Sequence, residues 1–269
     1  MKKLSFFAVA LAAMTFAACG GNKSGQNAEE ADSLKSFEQQ QIEAVIKMNF
    51  DSLAAEVARL KQLPVVDKDG MIALTDEEKQ VKPNYLLDLS VAEEAMTLSE
   101  EYRVLSAIEV DRQIAILYGL DLSEYDKAVG KLVADINDPS FKALDSELSI
   151  FETTQVLYDA MDENGRINFY WQLVSASLVE QLYIISQNSE KFLASVDDEA
   201  ASNVSLRIIL IQDAINRLTN YDPDLVPVAE ALEPLTVINA ITVDELKAQI
   251  AEAQDEIKEA RKALIELQY

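Results

Sequence analysis

The chain predicts an all-α fold, a bundle of about eight helices, and three observations carry that expectation. Glycine is scarce: beyond residue 32 only Gly70, Gly119, Gly130 and Gly165 remain, in a text rich in Ala, Leu, Glu and Ile, which favours helices. Apolar positions recur at three and four residues over long stretches, the spacing of one helix face. No segment alternates apolar and polar residues convincingly, and no repeat of fixed period is present.

The elements are taken in chain order. Leu34, Phe37, Ile42, Val45, Phe50, Leu53, Val57 and Leu60 mark a first helix from about Leu34 to Leu63, which Pro64 ends. Residues 64–88 are the least regular part. Within them Thr75-x-x-Glu78 is a capping box for a short helix that stops before Pro83. A long helix comes next, from about Ser90 to Leu120. Ser123-x-x-Asp126 is expected to cap another, which reaches about Asn137. Pro139 suits a first helical turn and opens a helix to about Met161. Asp162-Glu163-Asn164-Gly165 is turn text. Trp171, Val174, Leu178, Leu182, Ile185 and Phe192 share one face of a helix from Ile167 to Val196. Asp197-Asp198 caps a helix bearing Val204, Ile208, Ile211, Ile215 and Leu218. Pro223, Pro227 and Pro234 break the next stretch into short pieces. Thr242-x-x-Glu245 caps the last helix, whose Val243, Leu246, Ile250, Ala253, Ile257, Ala260, Leu264 and Leu267 form a heptad seam. That 243–267 seam suits packing inside the chain or docking on a partner helix.

The first residues are of a different kind. Met1-Lys2-Lys3 precedes an apolar run from Leu4 to Ala18, short of the ~20 residues that cross a bilayer. Small residues then lead to Cys19, the single cysteine of the chain. This layout resembles the signals of the bacterial lipoprotein class. The resemblance implies that residues 1–18 are removed, that the Cys19 thiol receives a diacylglyceryl group, and that the new amine is acylated. Phe16 departs from that class, which usually has an aliphatic residue three before the cysteine. Gly20 stands where an aspartate resembles an inner-membrane retention signal, which implies the outer membrane. The Gly- and Asn-rich text after Cys19 is similar to that of uncharacterised helical lipoproteins of Bacteroidota. Residues 19–33 read as a polar tether, and 34–269 as the helical domain. Several acyl chains on one cysteine hold a protein firmly, at about 0.8 kcal/mol per buried CH2.

Composition bounds the chemistry. The formal charge is −24, and removal of Lys2 and Lys3 with the signal makes it −26. Such a balance repels nucleic acid and anionic headgroups. With 49% hydrophobic residues the chain is no disordered acidic tail. There is no histidine, which removes Ser-His and Cys-His pairs and the commonest metal ligand. An enzyme would have to work with carboxylates, Lys or Tyr alone.

The candidate sites have plain structural alternatives. Asp67-Lys68-Asp69-Gly70 and Asp162-Glu163-Asn164-Gly165 look like halves of a calcium loop. Counted from each glycine, the first positions are Val65 and Ala160 and the twelfth Asp76 and Trp171, so both lack the strongest ligands. No metal, cofactor or catalytic residue is expected. The adjacent acids Glu93-Glu94, Glu100-Glu101 and Asp197-Asp198 point ~100° apart on a helix and do not converge. Asp111-Arg112 and Arg207 lie in apolar stretches, and Phe169-Tyr170-Trp171 could stack on a ligand or pack in the core. Asp32-Ser33-Leu34 and Asp51-Ser52-Leu53 resemble a short O-glycosylation motif of Bacteroidota. The expectation is a lipid-anchored, periplasm-facing, non-catalytic interaction or scaffold module. The alternative is a small-ligand pocket between helices around Arg112, Arg207 and Trp171. Cys19→Ala is expected to move the protein from membrane to soluble fractions and to block normal cleavage. Fractionation with membranes as for the native protein would refute the anchor.

Overall fold

The computed structural model describes residues 74–143 and 154–267. Cys19, residues 1–33, the helix expected over Leu34–Leu63 and the half-loop at Asp67 lie outside the described residues. Every described residue belongs to one compact unit.

The all-α class holds: among the described residues there are eleven α-helices and no strand. They are α1 (Asp76–Lys79), α2 (Val91–Glu94), α3 (Leu98–Tyr118), α4 (Ser123–Ile136), α5 (Thr154–Glu163), α6 (Ile167–Gln187), α7 (Ser189–Phe192), α8 (Asp198–Leu218), α9 (Val226–Leu232), α10 (Val243–Glu252) and α11 (Gln254–Leu264). Short 3-10 turns occupy Pro139–Ala143, Pro223–Leu225 and Glu233–Val237, with proline at the first or second position of each. No described helix is long and apolar enough to cross a membrane.

Helices α3 and α6 are the centre. Each buries fifteen of its 21 residues, so neither has the single wet face of a surface helix. They run parallel, because residue pairs climb together along both. Arg103 Nη1 donates to Gln172 at 2.8 Å, Ser106 Oγ to the Leu173 carbonyl at 2.7 Å, and Asp111 meets Glu180. Helix α4 returns antiparallel to α3 after Gly119, which takes the left-handed conformation (φ +67°) that a side chain resists. Helix α8 is antiparallel to α6, with Arg207 beside Gln181 and Asp222 beside Asn168. Helix α11 is antiparallel to α6 as well: Arg261 reaches Glu180, while, three residues on, the Leu264 carbonyl shares Arg103 with Gln172.

Three expected elements are divided, two of them by side chains that compete for backbone donors. The helix expected from Ser90 to Leu120 breaks at residues 95–97. Thr97 Oγ1 accepts the Glu100 N–H and Glu100 Oε2 accepts the Thr97 N–H, a second capping box that starts α3 afresh. Asn188 does the same for α7, accepting the Lys191 N–H at 3.1 Å, and so ends α6 short of Val196. At Ala253 (φ −90°, ψ 15°) the C-terminal helix is interrupted between α10 and α11. Ser123 is not the cap of α4: Leu122 holds that position, and the Asp121 carboxylate accepts the Ser123 N–H. The box at Thr75 and the caps at Thr242 and Asp197 stand where the sequence places them. Where one helix was expected from Pro139 to Met161, the described parts are a 3-10 turn and α5.

The C-terminal seam is buried within the chain. Leu246, Ile250, Ala253, Ile257, Ala260 and Leu264 are all buried, with α6 and α9 packed against α11. Ile250→Asp with Ile257→Asp would place two unpaired charges in that core. The expected outcome is a loss of several kcal/mol in a denaturant melt. A melt unchanged from the native protein would show that the seam does not hold the fold.

Candidate functional site

The three arginine and tryptophan positions suspected of ligand binding keep different company. Arg112 lies on the outer side of α3, where its Nε donates to Asp126 of α4 at 3.0 Å. Trp171 is wholly buried on α6, edge-on to Tyr170 with ring centroids 5.3 Å apart. Tyr170 in turn meets Tyr158 of α5 edge-on at 5.0 Å. Phe169 stacks on Tyr102 at 4.8 Å. The aromatic run thus ties α3, α5 and α6 together. Arg207, on α8, is buried against α6. The Asp162–Gly165 half-loop is a helix-ending turn: Gly165 has φ +66°, and the Asn164 amide donates to the Ala160 carbonyl and to Ser140.

The densest polar constellation lies elsewhere, between α3, α6 and α11. Glu180, on α6, is wholly buried and accepts both Nε and Nη2 of Arg261 at 2.8 and 2.9 Å, a bidentate fork. The same guanidinium donates to Glu266 at 2.6 Å and to the Tyr85 carbonyl at 3.2 Å, and lies over the Tyr183 ring at 4.0 Å. Asp111, also wholly buried, accepts the Leu87 N–H at 2.5 Å with Oδ2. Its Oδ1 has no donor, and the carboxyl that it meets belongs to Glu180. Two acceptors meet favourably only through a shared proton. Burial and the Glu180 charge push the Asp111 carboxyl well above its usual range. Burial raises Glu180 too, against the pull of Arg261. Asp111 is therefore the neutral acid that donates to the Glu180 carboxylate. Burial works against the Arg261 charge, but Glu180, Asp111 and Glu266 hold it firmly protonated.

A groove of about 1010 Å³ opens between the 82–93 segment and α4. Leu87, Ala92, Tyr125 and Ala128 give it an apolar floor. Lysines 82, 127 and 131 and four acids stand around it, so its rim has no dominant sign. Its inner wall hangs on the polar cluster, since Asp111 holds the Leu87 amide and Arg261 the Tyr85 carbonyl.

Sequence reasoning singled out Asp111 but not Glu180 or Arg261. One signal was present: Glu180 is the single charged residue between Ile167 and Gln187, and an acid in so apolar a helix needs a partner. No family model, curated protein or solved structure matches the chain.

The cluster sets a pH dependence whose sign depends on Asp111. Its folded form keeps a proton that the unfolded chain releases at the ordinary aspartate value. Stability is therefore full below that value and falls as pH rises toward the raised one, by up to about 1.4 kcal/mol per pH unit. Asp111→Asn supplies an N–H for Glu180 and an oxygen for Leu87 with no titrating proton. Chemical denaturation across pH is expected to give this variant a flatter profile and an advantage over the native protein at alkaline pH. Arg261→Met strands Glu180 and is expected to cost about 3–5 kcal/mol. A native profile that rises through the same window would contradict the protonated assignment.

Proposed function

We propose that this chain is a lipid-anchored, periplasm-facing lipoprotein of the outer membrane that works as a non-catalytic interaction or scaffold module. The supporting observation is an apolar stripe on the outer face of α8. Leu206 and Ile209 are exposed there at helical spacing, with Leu210 partly so. The chain from Ala229 to Ala240 runs along the same flank, because Gln212 bonds the Ala229 carbonyl and Ser205 the Ala240 carbonyl. Exposed Val237 and Ile241 lie on that stretch and just past it. Single exposed apolar residues are ordinary, but several on one face suit a protein contact. Glu199 and Glu233 are exposed nearby while Asp213 is paired with Arg217 at 2.8 Å, so the fitting partner is defined by an apolar helix face.

The ligand-pocket alternative draws less support from the geometry. Arg112 is engaged with Asp126 at the surface and Trp171 is enclosed by aromatic neighbours, so they do not converge with Arg207 on one space. A fully enclosed Asp111–Glu180 pair likewise offers a substrate no approach.

Leu206→Glu with Ile209→Glu separates fold from contact. Both side chains face outward, so the melting temperature is expected to change little. Crosslinking in intact cells is expected to lose the specific adduct that the native protein gives, while membrane fractionation stays as it was. An unchanged adduct pattern would remove α8 from the interface, and no adduct from the native protein would remove the interaction reading itself.

A further inference from the structure

The groove of about 1010 Å³ between the 82–93 strip and α4 has walls of two different kinds. One wall is α4 from Ser123 to Lys131, about 12 Å of helix whose backbone groups are spent within it. The other is the strip from Lys82 to Leu89, which is neither helix nor strand. Its Asn84, Leu86 and Leu89 N–H groups have no hydrogen-bond partner among the described residues, and neither have the Asn84 and Leu86 carbonyls. The strip is nevertheless fixed from behind. Asp111 accepts the Leu87 N–H, and Arg261 donates to the Tyr85 carbonyl at 3.2 Å. At one end Lys131 joins the two walls, with Nζ 3.0 Å from the Ala92 carbonyl and 3.7 Å from Glu93.

The floor adds a second unanswered group. Tyr125 lines the groove and is only 7% exposed, yet its hydroxyl has no hydrogen-bond partner among the described residues. A tyrosine buried to that degree normally finds one. Leu86 and Leu89 are half-buried on the lining and extend the apolar floor. The rim does not select an ion, because lysines and acids share it and Lys131 is already tied to Glu93. What answers such a site is neutral along its length, offers both N–H and C=O groups, and carries apolar side chains. An extended peptide has all three properties. A helix does not, since its backbone groups are already paired and it is roughly 10–12 Å across.

We propose that this groove is a docking site for a short, extended, apolar segment of a partner protein. The segment pairs its backbone with the Asn84–Leu89 strip, places a carbonyl against the Tyr125 hydroxyl and lays side chains on the apolar floor. The α4 wall matches about four residues of extended chain at ~3.3 Å each. Because Asp111 and Arg261 hold the strip before the segment arrives, little ordering of this chain is left to be done on binding. The inference rests on the interaction reading of the chain, but it uses none of the residues of the α8 stripe.

The test uses the full chain and a pool of capped tetrapeptides built from Leu, Val and Thr, followed in 15N amide spectra. Saturable shifts are expected in residues 82–93 and 120–131, a readout that needs no variant. The same pool with proline at alternate positions lacks half its N–H groups and is expected to bind about tenfold more weakly. Leu89→Asp is expected to weaken binding about tenfold and Tyr125→Phe roughly threefold, with melts showing that both variants keep the fold. Leu206→Glu with Ile209→Glu is expected to leave tetrapeptide binding unchanged, so the groove and the α8 stripe can fail separately. No saturable shift in the two groove segments would overturn the site, as would loss of binding in that α8 variant. Equal binding of the proline pool would overturn the backbone pairing. A response to sodium hexanoate equal to or stronger than that to the tetrapeptides would overturn the peptide assignment.

Discussion

The protonated Asp111–Glu180 pair and the single guanidinium that serves it are the constraint on which the rest of the structure depends. Four parts of the chain meet there: the Tyr85–Leu87 strip through its backbone, α3 through Asp111, α6 through Glu180, and α11 through Arg261. None of these contacts works alone. Without Arg261, Glu180 is an unpaired buried charge. Without the Asp111 proton, two anions share one cation in a site that excludes water, where their repulsion is largely unscreened. The cluster is less a source of stability than a condition on it, because a buried ion pair gains little over apolar packing but costs much when broken.

That condition explains how the fold is registered. The core-facing side of α11 is apolar apart from Arg261, and apolar seams slide by a turn at modest cost. Arg261 does not slide: moving it one turn would separate the fork from both Glu180 oxygens. Arg103 adds a second pin, with Nε on the Leu264 carbonyl at 2.9 Å and Nη1 on Gln172. The final turn of α11 is thus fixed to both central helices. The groove inherits the same fixation, since its inner wall is the strip that Asp111 and Arg261 hold. Anything that alters the protonation of the pair acts on the groove wall and the C-terminal helix together.

What the sequence made legible was the material that local rules govern. Helix class, the capping box at Thr75, the caps at Thr242 and Asp197 and the turn at Gly165 depend on residues within a few positions of each other. The heptad seam is legible for the same reason. The breaks at Thr97, Asn188 and Ala253 were harder, because each interrupts a run whose apolar spacing continues across it. Thr97-x-x-Glu100 was nonetheless written in the sequence, and its signal lost to the longer periodicity. The polar centre lay beyond local reading altogether. Asp111, Glu180 and Arg261 are far apart in sequence, and only the parallel packing of α3 on α6 brings the two acids together. Arg112, adjacent to Asp111 and the more conspicuous charge, points to the opposite side and meets Asp126 at the surface.

The two buried arginines answer the same physical problem in different ways. Arg261 has two carboxylates, a carbonyl and an aromatic face, so its charge is satisfied within the chain and its role is complete without a ligand. Arg207 has one neutral amide at the long end of hydrogen-bond distance, on a helix whose outer flank is also unusually apolar. Charge that is answered within the chain is concentrated around Glu180, whereas Arg207 meets only a neutral amide among the described residues.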